Sequence, residues 1–147
     1  IYIMTGKINL VNALLAKDES ILKHKETETY EVKSLSKIVG EKFEITLQGL
    51  TTKEYMRIKD ICIVRPKKEA PYLDETKYNA HLLLSGIVDK ELKSAELQKK
   101  YGATDPADLM LLLFTVSEIA DITSIINKLS GMEDETKAKE VESEIKN

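Results

Sequence analysis

A chain of 147 residues, 42% hydrophobic and 32% charged, has the composition of one globular domain able to bury about two-thirds of its unfolded surface, not of a disordered or fibrous chain. A net charge of −3 excludes a global basic field for nucleic acid or anionic lipid, and the single Cys62 excludes an internal disulfide. The longest unbroken apolar run, Leu109 to Phe114, falls far short of the roughly 20 residues a membrane span needs.

At the N-terminus, Met4-Thr-Gly-Lys reads as a natural start preceded by three added residues, and the polar Thr5, Gly6, Lys7 and Asn9 exclude a signal peptide. Ile8, Leu10, Val11, Leu14, Leu15, Ile21 and Leu22 then predict a short amphipathic helix over Asn9–Leu22 with a break near Asp18. Its apolar face either docks on the core or projects to bind a neighbour. Leu10, Leu14 and Leu15 are the candidate partner-binding residues. The expected organisation is an N-terminal helical segment over 1–26, docked or projecting, followed by a single globular unit over 27–132.

Tyr30 and Val32 alternate with Glu31 and Lys33, and Phe43, Ile45 and Leu47 alternate with Glu44, Thr46 and Gln48. These predict a β-hairpin over 28–48. Its connector, Ser34 to Glu41, is one helical turn capped by Ser36 and closed by Gly40 at positive φ. A lone hairpin is marginal and must lie on helices. Thr51 and Glu54 have capping-box spacing and open a helix over 52–64, with Tyr55, Ile58, Ile61 and Cys62 inward. Arg65–Leu73 carries Pro66 and Pro71 and reads as a linker without regular structure.

Asp74 caps a helix over 74–88 with Tyr78, Leu82, Leu83 and Ile87 inward, and Gly86 inside it implies close helix packing. Ser94 caps a short helix over 95–101, closed by Gly102, with Leu97 and Tyr101 inward. Asp105 and Pro106 start a helix over 106–114. Thr115 and Glu118, again at capping-box spacing, restart one over 116–130 that Gly131 ends. Val116, Ile119, Ile122, Ile126 and Leu129 form its apolar stripe, and Leu112 is expected in the core with them. The mixed-charge residues 133–147 read as a frayed or disordered tail. The expected fold is mainly α with a small antiparallel hairpin (α+β), with about five to six helices.

Chemistry is sparse. His24, His81 and Cys62 are far apart, no glycine-rich phosphate loop exists, and Arg65, Lys67 and Lys68 lack interleaved aromatics apart from Tyr72. No catalytic site, metal, cofactor or small-molecule substrate is expected, and no nucleic acid or membrane partner. The helix over 116–130 opposes its one lysine with Glu118 and Asp121, unlike a DNA-recognition helix. A bare aliphatic face with no catalytic residue on it either makes core or binds another apolar surface.

The order of motifs resembles the XkdN-like phage tail assembly chaperones. The run EVKSLSKIVGEKFEITLQGLTTKEY at Glu31–Tyr55 is similar to the family's N-terminal signature. LLSGIVDKELKSAELQKKYGATDPADLMLLLF followed by SEIADITSIINKLSG is similar to its second half, with Val116-Ser117 in place of the Pro-Gly of that family. The resemblance implies a non-enzymatic protein of a contractile-tailed phage, prophage or tailocin. Such a protein binds the long helical tape measure protein before tail-tube polymerisation and is absent from the finished particle. It implies the bacterial cytoplasm and a family often made in two forms by ribosomal frameshifting; self-association is instead a second reading of the N-terminal helix. A generic helical adaptor or regulatory subunit is the alternative that the apolar faces leave open.

Overall fold

The computed structural model describes residues 7–132, so the charged tail expected over 133–147 lies outside the described residues. Helix α1 spans Leu10–Leu15, and Asp18 caps a 3-10 turn at Glu19–Leu22, which is the break expected there. Strands β1 (Thr27–Glu31) and β2 (Glu44–Gln48) pair antiparallel, with Thr29 opposite Thr46 and Tyr30 opposite Ile45. Between them runs α2 (Lys33–Val39), closed by Gly40 at φ 80°, a conformation a side chain would strain. Then follow α3 (Thr52–Cys62), the short strands β3 (Ile63–Val64) and β4 (Tyr72–Leu73), and α4 (Glu75–Gly86). A second 3-10 turn at Lys90–Lys93 precedes α5 (Ala95–Tyr101), α6 (Pro106–Leu113) and α7 (Val116–Leu129). The result is a mainly helical α+β fold, with seven α-helices and two small antiparallel sheets among the described residues.

Local capping chemistry builds most of these boundaries. Thr51 Oγ1 accepts from Glu54 N–H at 3.2 Å while Glu54 Oε1 accepts from Thr51 N–H at 3.2 Å, and Thr115 and Glu118 repeat the reciprocal pair. Asp74, Ser94 and Asp105 cap α4, α5 and α6, each accepting the backbone N–H three residues on.

The core lies between the hairpin and the helices α3, α4, α6 and α7. Val32, Ile45 and Leu47 meet Ile58, Leu82, Leu83, Ile87, Leu109, Met110, Ile122 and Ile126, all at 2% exposure or less. Helices α6 and α7 bend 118° from one another at Phe114–Thr115, and no single described helix is long and apolar enough to cross a membrane. The outer side of β2 is finished by the segment after α4: Val88 N–H donates to Thr46 C=O at 2.8 Å, and Asp89 Oδ2 accepts from Thr46 N–H at 2.7 Å. Tyr30 donates its phenol to Asp121 Oδ2 at 3.2 Å, tying β1 to α7; burial and then the Asp121 charge push that phenol up to about 12.

Helix α4 packs closely on α7 because residue 86 has no side chain. A Cβ at Gly86 would collide with the Ile126 side chain. Gly86→Ala is therefore expected to lose about 1–3 kcal/mol of unfolding free energy by overpacking. Ile126→Val in the same chain should restore part of it, as read by urea denaturation. Additive losses would mean the two positions do not share that space.

Several expectations are corrected. Leu112 is not core: it is 54% exposed, because α6 turns Leu109 and Met110 inward instead. Val116, at 87% exposure, heads α7 before the helix reaches the core, and Tyr101 and Ile61 also face solvent. Ser36 does not cap the connector, which begins at Lys33. Its hydroxyl donates to Glu31 Oε2 at 3.0 Å and accepts from Phe43 N–H at 2.8 Å. The proline-bearing linker does hold regular structure, since Ile63 and Val64 pair with Leu73 and Tyr72. Pro66 and Pro71 lie in the loop outside this ladder, where a missing N–H costs nothing.

Candidate partner-binding site

The three leucines singled out from sequence share a face of α1. Asn9 caps this helix by accepting from Asn12 N–H at 3.1 Å. The helix is only six residues long, a length at which local propensity holds helix weakly without outside contacts. Leu10, Val11, Leu14 and Leu15 recur at helical spacing on one side and are 55–76% exposed. Ile8, Ile21 and Leu22 extend the apolar surface, and no residue of α1 or of the 3-10 turn is buried. Burying one such side chain is worth about 1.5–3 kcal/mol. The arm therefore carries unrealised contact energy that the rest of the described chain does not use.

The base of the arm is fixed. Lys25 Nζ lies 2.7 Å and 2.9 Å from the two carboxylate oxygens of Glu54, the residue that also closes the α3 capping box. Desolvation raises the Glu54 carboxyl, but the hydrogen bonds from Lys25 and Thr51 outweigh it and hold the group below its ordinary range.

Burial pushes the Cys62 thiol up, which keeps it protonated, and burial followed by the Lys77 charge lowers His81. Among the described residues no three of His, Cys, Asp and Glu are grouped to hold a metal ion. A shallow cleft of about 270 Å³ beside His81 is lined by Asp74, Lys77, Asp105 and Asp108. Its carboxylates are already engaged: Asp74 and Asp105 cap helices, and Asp108 Oδ2 accepts from Thr104 N–H at 2.9 Å.

Sequence reasoning missed one linkage. Glu118 is only 7% exposed, and its carboxylate accepts from Ser34 N–H at 3.0 Å and Ser34 Oγ–H at 2.7 Å. It also accepts from Thr115 N–H at 3.0 Å. Desolvation raises this carboxyl, yet the hydrogen bonds from Thr115 and Ser34 leave it below its ordinary value. The capping box was the available signal for Glu118; nothing local pointed to Ser34.

Comparison with known proteins comes down to a family and a fold. The model of the phage XkdN-like tail assembly chaperone family matches residues 11–146. No curated protein matches. The crystal structure of the protein yqbn, a structural genomics target, is 20% identical, covers 74% of this chain and 88% of its own, and superposes with a TM-score of 0.53. At that identity it speaks for the fold.

Proposed function

We propose that this chain, which belongs to the XkdN-like phage tail assembly chaperone family, binds the tape measure protein and keeps it soluble while a tail is assembled. The observation that carries this reading is the uncovered aliphatic face of Leu10, Leu14 and Leu15, with Val11 beside them. A tape measure protein is long and helical and bears apolar stripes until the tail tube encloses it. A short apolar arm tethered at Lys25 fits such a stripe in the manner of a helix laid along a helix. The family match begins at Val11, within this arm. The role is non-catalytic. It belongs to the bacterial cytoplasm during assembly of a contractile tail, of phage, prophage or tailocin, with the protein absent from the finished particle.

The test is capture on co-expression. Wild-type protein should retain the tape measure protein encoded beside it and keep it in the soluble fraction. Leu14→Asp should leave the melting temperature nearly unchanged, because Leu14 is exposed. It should weaken capture at least about tenfold, as loss of one buried leucine and the desolvation of a carboxylate require. Undiminished capture by Leu14→Asp would reject the arm as the binding element. A strongly destabilised variant would place Leu14 in the fold instead.

A further inference from the structure

The two edges of the β1–β2 sheet differ. The outer edge of β2 is closed by Val88 and Asp89 at Thr46, by a bridge between Leu47 and Ile87, and by Gln48 Nε2 donating to Ser85 C=O at 3.1 Å. Among the described residues the outer edge of β1 is open. Gly49 N–H donates to Glu26 C=O and Val32 N–H to Phe43 C=O. In an antiparallel ladder this parity turns Glu28 and Tyr30 toward β2, and turns the backbone groups of Thr27, Thr29 and Glu31 outward. Among the described residues none of these outward groups has a hydrogen-bond partner, and Thr27 and Thr29 are exposed. The edge also lacks the proline, lysine or bulge that commonly blocks strand addition.

We infer that β1 pairs antiparallel with β1 of a second copy of this chain about a two-fold axis at Thr29, making one four-stranded sheet across a dimer. The sequence Thr-Glu-Thr-Tyr-Glu suits that register. Thr29 meets Thr29, Thr27 meets Glu31, and Glu28 meets Tyr30, so no two carboxylates stand directly opposite. All three outward residues fall on hydrogen-bonded positions in the same register, which an odd shift would break. A two-stranded sheet is marginal by itself, and doubling it satisfies the open edge. The pairing also sets the two apolar arms on one assembly, since each arm enters β1 through Lys25. It stands whether or not those arms bind a tape measure protein.

Light scattering on the full chain should give twice the 16.6 kDa chain mass. Thr29→Pro removes an outward N–H and should return the monomer mass with folding intact, because β1 is an edge strand. Thr29→Cys supplies an independent reading. Across the axis the two Cα atoms lie about 5.5 Å apart, within disulfide reach, so mild oxidation should link two chains. Thr27→Cys should not link, its two copies being roughly 13 Å apart along the strands. Cys62 is buried and does not compete. A monomeric wild type, a dimer that survives Thr29→Pro, or equal linking at Thr27 and Thr29 would each overturn the inference. The first leaves the proposed capture by Leu14 untouched, so the two readings fail separately.

Discussion

Ile126→Ala is expected to lower the unfolding free energy by about 2–5 kcal/mol, the range for removing a fully buried branched side chain and leaving a cavity. Ile126 is 0% exposed and sits on α7 against the bare backbone of Gly86 on α4. Those two helices cannot close the gap easily. Helix α7 is also held through Tyr55, whose hydroxyl donates to Asn127 Oδ1 at 2.5 Å, and through Ser130, whose Oγ accepts from Leu50 N–H at 2.8 Å. With its position pinned by these bonds the site relaxes little, and the loss should fall in the upper half of the range. Urea denaturation monitored by circular dichroism measures it. A loss under about 1 kcal/mol would mean that α7 moves to fill the space. Leu112→Ala, on the exposed side of α6, should stay within about 0.5 kcal/mol of wild type.

Glu118→Ala should be comparably damaging through polar rather than apolar loss. The substitution removes the half of the α7 capping box in which the Glu118 carboxylate accepts from Thr115 N–H. It also strips the acceptor from Ser34 N–H and Ser34 Oγ–H in a half-buried setting, where an orphaned donor costs about 1–3 kcal/mol. Glu118→Gln keeps the shape but not the charge and should fall between. The pH dependence has a definite sign. A carboxyl whose folded pKa lies below its unfolded one contributes stability above the unfolded pKa and loses it as pH falls through the folded value. The Glu118 carboxyl lies below its ordinary 4.5, so the gap between wild type and Glu118→Gln should be full at neutral pH. It should narrow only when the pH drops through and below that value. Glu54 is shifted the same way, so the whole protein should lose stability across the same acid window. A gap independent of pH from 7 down to about 3 would show that the charge of Glu118 contributes nothing.

What the amino-acid sequence determined by itself was the punctuation of the helices. Thr51 with Glu54, Thr115 with Glu118, and the caps Asp74, Ser94 and Asp105 were legible because a capping bond spans only three residues and needs no distant partner. The mainly helical α+β class followed from periodicity, for the same local reason. Periodicity also placed Leu10, Leu14 and Leu15 on one face, but left docking and projection equally open. It says which residues share a face and not which face a neighbour covers. Only the tertiary structure put Leu109 and Met110 inside and Leu112 outside, and left Val116 in solvent. Only it brought Ser34 to Glu118 across 84 residues and joined Ile63–Val64 to Tyr72–Leu73 over the proline loop. Those contacts depend on where whole elements come to rest, which packing volume and backbone hydrogen bonding decide together, and no short window of residues records that outcome.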